Sequence, residues 1–191
     1  MSAIELPLQV AVMGVTGAGK TTISQALAAA LDVAYIDADD LHPASNVKKM
    51  SAGVPLNDSD RQPWLDLVGY AVAGRPEGVV VACSALKRRY RDALRAHAPA
   101  LFFAHLAPSS AVLEARLDAR PDHFMPTSLL ESQLDALEPL EADEAGVTIE
   151  TTGPVDELVS AIVARLAPRQ ARHLSHAVVG RPHEIEAEDT D

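Results

Sequence analysis

The sequence predicts a three-layer α/β/α fold, in which helices cover both faces of a parallel β-sheet. Short apolar runs alternate with segments of helical periodicity in the order β-α-β-α-β-α-β-α-α-β-α, which is typical of parallel sheets with crossover helices. One run, 78–83, is apolar throughout, as expected for a strand buried on both faces. The chain has 191 residues, enough for one domain with a substantial core. In such a fold we expect ligands at the carboxyl ends of the strands.

The first strand and the first helix flank a glycine-rich loop. The apolar run 8–13 predicts the strand, and Ile23, Leu27 and Leu31 share one face of the following helix. Between them, residues 14–21 fit G-x-x-x-x-G-K-[ST], the P-loop pattern that binds nucleotide phosphates. Its glycines let the backbone approach phosphate oxygens, and the helix N-terminus favours anions. The predicted nucleotide-binding residues of this loop are Gly14, Val15, Thr16, Gly17, Ala18, Gly19, Lys20 and Thr21.

Four side chains at these first two strand ends have specific predicted roles. Lys20 is expected to reach the β- and γ-phosphates, and the Thr21 hydroxyl to bind Mg²⁺. The second strand, 33–36, is followed by Asp37 and Asp39, which share a side because they alternate. Small-molecule kinases can use this arrangement, with Asp37 holding Mg²⁺ through water and Asp39 facing a substrate hydroxyl. The alternative is that both carboxylates only cap the loop.

The middle of the chain contains a long loop, two helices and the apolar strand. Residues 41–60 predict a functional loop with one short helix near 46–50. A helix is expected to begin near Asp60, with Pro63 in its first turn, and to stop at Gly74. Cys83, the only cysteine, ends the apolar strand and is interpreted as a small core residue. The apolar face of the next helix consists of Leu86, Tyr90 and Leu94.

The C-terminal half continues the alternation and then loses it. A strand at 100–106 precedes a helix capped by Ser109 or Ser110, and the loop 121–126 follows. The capping box Ser128-x-x-Glu131 begins another helix, which ends at Pro139. A short strand at 147–150 leads into a helix that Pro154 opens. The inward faces of these last two helices are predicted to carry Leu130, Leu134 and Leu137, then Val155, Leu158, Val159, Ile162 and Leu166. Residues 168–191 read as a mostly disordered acidic tail.

Charge and composition exclude several classes of protein. The formal net charge is −11, which argues against a surface for nucleic acid or anionic membranes. No apolar run approaches the ~18 residues of a membrane helix, and the N-terminus does not look like a signal peptide. We therefore expect a cytoplasmic protein that holds anionic substrates with local cations.

The remaining motifs favour a small-molecule kinase over other proteins with this loop. No N-K-x-D motif for guanine occurs, and the D-x-x-G match at 66–69 lies inside a predicted helix. The strand 79–83 is followed by Ser84, not by the acidic pair usual in motor ATPases. The acidic residue instead follows the second strand, at Asp37.

Three sequence blocks resemble the gluconate kinase family. They are 37–65 with D-A-D-D-L-H-P, 83–92 with C-S-A-L-K-R-R-Y-R-D, and R-P-D-H-F-M at 120–125 followed by S-Q and L-E-P-L within 132–140. Together with the phosphate loop, the resemblance covers about residues 9–166. It implies a P-loop kinase fold of the shikimate- and nucleotide-kinase type over 1–167, with a lid near 120–127. It also implies phosphorylation of D-gluconate on its 6-hydroxyl, ATP and Mg²⁺ as cofactors, and a homodimer.

The site residues expected for this chemistry lie mostly within those blocks. Gluconate has hydroxyls and one carboxylate, so its site needs hydrogen-bonding side chains and cations, and the guanidinium of Arg61 can bind a carboxylate in bidentate fashion. The predicted substrate-binding residues are Asp39, His42, Lys49, Arg61, Ser84, Lys87 and Arg91, with Asn57 as a further candidate. Lys20, Asp39 and Arg120 are the predicted catalytic residues, and Arg116 lies with Arg120 at the nucleotide. The alternatives are a kinase for another small acid such as shikimate, a nucleoside monophosphate kinase, and a nucleotide-sensing module without catalysis.

Overall fold

Five parallel strands form one sheet in a computed structural model that describes residues 8–113 and 127–166, with side chains omitted at 127–129. The strand order is β2-β3-β1-β4-β5, and every pair of neighbours is parallel. This confirms the predicted α/β/α class. The strands are β1 Gln9–Met13, β2 Ala34–Asp37, β3 Val79–Ala82, β4 Phe102–Ala107 and β5 Gly146–Glu150.

Helices occupy both faces of the sheet, as the alternation predicts. A 3₁₀ helix, Ala38–Leu41, directly follows β2, and residues 110–113 are helical after β4. The longer helices are α1 Lys20–Leu31, α2 Ala44–Ser51, α3 Asp58–Ala73, α4 Arg88–His97, α5 Thr127–Ala136 and α6 at 155–166.

The alternation of side chains along β1 divides the core into two layers. Val10 and Val12 pack with apolar residues of α1, α5 and α6 on one face, whereas Ala11 and Met13 pack with those of α3 and α4 on the other. All four side chains are fully buried. Cys83 is also buried in the second layer, and burial raises the pKa of its thiol to about 12. The prediction that it is a core residue is confirmed.

The order of the strands brings three loops together at one edge. Asp37 at the end of β2 lies opposite Ala82 of β3, and Val12 of β1 also lies opposite Ala82. The segments that follow β1, β2 and β3 therefore leave the sheet side by side. They are the phosphate loop, the 37–42 segment and the turn at Ser84, which are the segments that the sequence assigns to nucleotide and substrate.

Helix α3 begins two residues earlier than predicted. The side chain of Asn57 accepts a hydrogen bond from the backbone N–H of Asp60, and the Asp60 carboxylate accepts one from the N–H of Asn57. This capping box fixes the first turn at Asp58, so Pro63 lies inside the helix and not in its first turn. Gly69, from the D-x-x-G match, lies on the buried face, where an added Cβ would be 2.7 Å from His97. Close packing of α3 on α4 explains this glycine.

Three other apolar positions differ from the prediction. Leu86 is buried but precedes α4, which begins at Arg88. Leu134 is 45% exposed, because the inward face of α5 carries Leu130 and Gln133. Leu137 packs against the core just after the helix ends. Val155 is 38% exposed, since the buried stripe of α6 begins one turn later, at Leu158.

Several sequence predictions lie outside the described residues. They concern the lid with Arg116 and Arg120, the loop 121–126 and the tail 168–191. Within 8–113 and 127–166, no helix has both the length and the apolar character needed to cross a membrane.

Candidate active site

Glycines allow the 14–21 loop to take a backbone path that other residues would resist. Gly14, Gly17 and Gly19 all have positive φ, at 145°, 76° and 96°. A Cβ on Gly14 would also lie 2.8 Å from the carbonyl oxygen of Leu106, so both backbone conformation and space require glycine there. The loop ends at the N-terminus of α1, where backbone N–H groups favour anions.

The Lys20 ammonium lies folded along this loop. Its Nζ donates a hydrogen bond to the carbonyl oxygen of Val15 at 3.0 Å. The N–H of the next residue, Thr16, donates to Oε1 of Gln133 on α5 at 2.6 Å. On the other side, the N–H of Gly14 contacts the carbonyl of Ser84 at 3.4 Å, so the phosphate loop and the turn after β3 are neighbours.

Tyr35 connects the two predicted magnesium residues. Its hydroxyl donates to Oδ2 of Asp37 at 3.1 Å, and it also hydrogen bonds with the side chain of Thr21. Burial, followed by the bond to Asp37, raises the pKa of Tyr35 to about 12. A carboxylate and a hydroxyl therefore meet beside the phosphate loop, and oxygen ligands of this kind suit Mg²⁺.

Asp39 and His42 lie next to each other on the substrate side of Lys20. His42 Nε2 is 4.0 Å from Oδ1 of Asp39, and its ring stacks on Trp64 with centroids 4.4 Å apart. Trp64 in turn donates from Nε1 to the carbonyl of Ala38 at 2.6 Å. Asn46 Nδ2 contacts Nδ1 of His42 at 3.4 Å, which favours the tautomer with the proton on Nε2, facing Asp39. The histidine is therefore fixed on both sides.

The surroundings of Asp39 favour proton acceptance. Desolvation within the cleft raises the pKa of this carboxyl, and the neighbouring Asp37 raises it further, while His42 and Lys20 act in the opposite direction. The side chain itself remains 86% exposed, so an incoming hydroxyl can reach it. Burial lowers the pKa of His42, which keeps the imidazole neutral near pH 7. A carboxylate with a raised pKa is a better general base than an ordinary aspartate.

A cluster of cations surrounds Tyr90 at the far end of the site. Arg61, Lys87 and Arg89 place their charged groups 5.8, 5.6 and 5.5 Å from the centre of its ring. Asp58 lies among them and accepts from the Tyr90 hydroxyl, with Arg89 at 2.5 Å and Lys87 at 3.8 Å. The Tyr90 bond and the cations hold the pKa of Asp58 below its usual range. We call Arg61, Lys87, Arg89, Tyr90 and Asp58 the cation cluster.

Arg61 differs from the other predicted cations in its partners. Lys87 pairs with Asp58, and Lys49 pairs with Asp60 at 2.6 Å. Arg61 donates from Nη1 to the carbonyl of Leu56 at 2.5 Å, and within the described part of the chain no carboxylate lies in ion-pair contact with it. It also lies close enough to His42 to lower the pKa of that imidazole. Its remaining donors are therefore suited to an external carboxylate.

Arg91 does not belong to the substrate site, and its prediction as a substrate ligand is wrong. The side chain is fully buried and binds the Glu144 carboxylate with both Nε and Nη2, at 2.7 and 2.6 Å. Its other contacts are backbone carbonyls, those of Ala85, Leu86, Glu138 and Pro139. Burial alone would raise the pKa of Glu144, but the hydrogen bonds from Arg91 and Arg95 hold it at about 2. Arg91 therefore stabilises the turn after β3, whose carbonyls at Ala85 and Leu86 accept hydrogen bonds from it.

Several of the predicted site residues lie near one another in the described part of the chain. Lys20 interacts with Asp39, Asp39 with His42, and His42 with Arg61. The carbonyl of Ser84 contacts the phosphate loop, and Lys87 lies against Tyr90 and Asp58. Asn57 caps α3, and Lys49 pairs with Asp60 of the same capping box. Sequence reasoning missed Tyr35, Trp64, Arg89, Tyr90 and Gln133. Only their places near the motifs could have signalled them. Trp64, Tyr90 and Gln133 make contacts between distant segments, whereas Tyr35 contacts Asp37 two positions away.

Comparison with known families gives two kinds of match. A family profile described as an AAA domain matches residues 10–140. A thermosensitive gluconokinase of Escherichia coli is 46% identical over 138 residues, which cover 71% of this chain and 74% of that protein. A gluconokinase of Gluconobacter oxydans is 45% identical over 148 residues, covering 75% and 82%.

Solved structures agree with the sequence matches. The crystal structure of a gluconokinase from Sinorhizobium meliloti superposes with a TM-score of 0.81 at 43% identity, covering 91% of this chain and 99% of that one. A shikimate kinase from Aquifex aeolicus reaches a TM-score of 0.53 at 14% identity, covering 91% and 100%. The second match supports the fold alone.

Proposed function

Because the chain belongs to the gluconokinase family of P-loop kinases, we propose that it transfers the γ-phosphoryl group of ATP to the 6-hydroxyl of D-gluconate. The product is 6-phospho-D-gluconate, and Mg²⁺ accompanies the nucleotide. Homologues that cover most of the chain support the activity. The residue roles below are proposals that rest on the geometry.

One observation carries the proposal, namely the order of charges along the site. Lys20 lies at the phosphate loop, Asp39 and His42 come next, and Arg61 with the cation cluster stands beyond them. An extended sugar acid has a reactive hydroxyl at one end and a carboxylate at the other, which fits this order. Within the cluster, Tyr90 and Arg89 already bind the carboxylate of Asp58, so the chemistry of these side chains suits a carboxylate ligand.

The phosphate loop supplies the nucleotide end of the reaction. Its N–H groups and Lys20 would hold the β- and γ-phosphates. Asp37, through water, and Thr21 would hold Mg²⁺, and Tyr35 orients both side chains. When bound, the metal would neutralise charge that develops on the phosphate oxygens. Arg116 and Arg120 are proposed to add positive charge from the lid.

Asp39 is proposed to activate the acceptor. Its carboxylate takes or orients the proton of the 6-hydroxyl as the oxygen attacks the γ-phosphorus in line with the leaving oxygen. His42 fixes the far side of the acceptor pocket, because it is stacked on Trp64 and held by Asn46. Since the transition state is loose, most of the rate gain comes from positioning and charge stabilisation.

Product analysis tests the proposal. The purified chain is incubated with ATP, MgCl₂ and D-gluconate, and the product is followed by ³¹P NMR with proton coupling. A phosphate on carbon 6 couples to two methylene protons, whereas one on a secondary carbon couples to a single proton. We expect ADP formation that depends on gluconate and a triplet phosphorus signal. ADP formation that is independent of gluconate, or a doublet, would refute the proposal.

The cytoplasmic location and the homodimer stay predictions from the sequence and the resemblance. Sedimentation equilibrium of the purified chain measures its oligomeric state directly.

A further inference from the structure

Gln133 of α5 contacts the phosphate loop through a hydrogen bond of its side chain. It is 117 positions away from its partner Thr16, and the bond is 2.6 Å long and partly buried. Leu130, on the same helix face, is buried in the core, and Leu137 packs against the core directly after the helix ends. The polar side chain of Gln133 at this otherwise apolar position is explained by its hydrogen bond to the phosphate loop.

The bonded N–H belongs to the peptide unit that also contacts Lys20. The carbonyl of that unit, from Val15, accepts from the Lys20 ammonium at 3.0 Å. The described part of the chain contains no cis peptide, and in a trans peptide the N–H and C=O point in opposite directions. Gln133 therefore accepts from the N–H on one side of the Val15–Thr16 peptide, and Lys20 donates to the carbonyl on the other side.

We propose that Gln133 is a positioning residue for Lys20 in phosphoryl transfer. By holding the Thr16 N–H, it keeps the Val15 carbonyl turned towards the ammonium and fixes where the ammonium stands. A donated N–H also makes the carbonyl of the same unit a stronger acceptor. An ammonium has three N–H groups, so its contact with Val15 is compatible with simultaneous contacts to phosphate oxygens. The inference rests on the proposed function, because it assigns Lys20 to the nucleotide.

A double-mutant cycle separates this role from a merely structural one. Gln133→Met keeps the length of the side chain but cannot accept the hydrogen bond, and Lys20→Met removes the cation. Binding of magnesium with β,γ-imido-ATP is measured by calorimetry for wild type, both single variants and the double variant. We expect Gln133→Met to weaken binding about five- to tenfold in the wild-type background, and less than twofold in the Lys20→Met background. Leu134→Ala, an exposed neighbour on α5, is the control and should bind as wild type.

A conservative variant provides the second test. Gln133→Glu retains an oxygen that can accept from Thr16, so its kcat should stay within about threefold of wild type while Gln133→Met loses about tenfold. Amide hydrogen exchange at Thr16 should be slow in wild type and Gln133→Glu, and fast in Gln133→Met.

Three results would overturn the inference. They are equal weakening by Gln133→Met in both backgrounds, no weakening in either, or a loss in Gln133→Glu as large as that in Gln133→Met. A wild-type protein that binds no β,γ-imido-ATP would instead refute the proposed function. The same titrations therefore distinguish the two failures.

Discussion

Replacing Arg91 by methionine should destabilise the protein strongly without changing its choice of substrate. The variant keeps most of the side-chain volume but leaves the fully buried Glu144 carboxylate with Arg95 as its remaining cationic partner at hydrogen-bond distance. Removing one partner of a buried ion pair typically costs about 3–5 kcal/mol. For a chain of 191 residues, this corresponds to a loss of roughly 6–20 °C in melting temperature.

Arg88→Met is the matched control for this measurement. Arg88 is on the same helix, and its close ion pairs are with the exposed carboxylates of Asp92, Glu141 and Asp143, while Oε2 of Glu144 is 3.9 Å from its Nε. Its side chain is 29% exposed. Because water screens exposed charges, these pairs should contribute much less to stability than the buried pair of Arg91 with Glu144. The comparison uses urea unfolding at pH 7, followed by circular dichroism.

Arg91→Met should also leave substrate preference unchanged. Because this guanidinium does not reach the substrate site, the ratio of kcat/KM for gluconate to that for glucose should stay within about threefold of wild type, measured well below the melting temperature. Equal stability losses in Arg91→Met and Arg88→Met would refute the structural role. A selective loss of gluconate turnover in a stable Arg91→Met variant would show that Arg91 does contact the substrate.

Three further outcomes are expected. Lys20→Met should keep its melting temperature and lose turnover by orders of magnitude, because a cation for the γ-phosphate is removed; unchanged turnover would contradict the nucleotide site. Asp39→Asn should lower kcat by about 10²–10⁴ while retaining ATP binding, since the amide cannot take a proton; near-normal kcat would make Asp39 merely structural. Asp39 acts as the base in its deprotonated form, and its pKa is raised above the ordinary value of an aspartate. As the pH drops, kcat should therefore fall with a midpoint above that ordinary value, while the protein stays folded. A midpoint at or below that value would contradict the assigned environment.

Local patterns were sufficient to predict the fold and the phosphate loop. Glycine spacing, an apolar run and a helical face lie within about twenty residues there, and the sheet follows from the alternation of strands and helices. The end of α3 at Gly74 was predicted for the same reason. Its start was not, because the Asn57–Asp60 capping box competes with Pro63 as the signal for the first turn.

Contacts between distant segments explain what the sequence did not reveal. Arg91 resembles a substrate cation in the 83–92 block, and only its pairing with Glu144, 53 positions away, shows that it is structural. Gln133 is an ordinary polar residue in the sequence, and its bond to Thr16 depends on how α5 crosses the loop. Arg89 and Tyr90 acquire their place beside Arg61 in the same way.

The central claim is that Arg61 and the cation cluster receive the substrate carboxylate while Asp39 faces the 6-hydroxyl. The most direct test is kcat/KM for gluconate, glucose, shikimate and AMP, on wild type and Arg61→Ala. Loss of the ion pair should cost about 2–4 kcal/mol, so wild type should prefer gluconate over glucose about 30- to 1,000-fold. Arg61→Ala should reduce this preference, because it lowers kcat/KM for gluconate but not for glucose, which has no carboxylate to bind the guanidinium. Faster turnover of shikimate or AMP by wild type would contradict the function, and equal losses for gluconate and glucose in Arg61→Ala would contradict the role of Arg61.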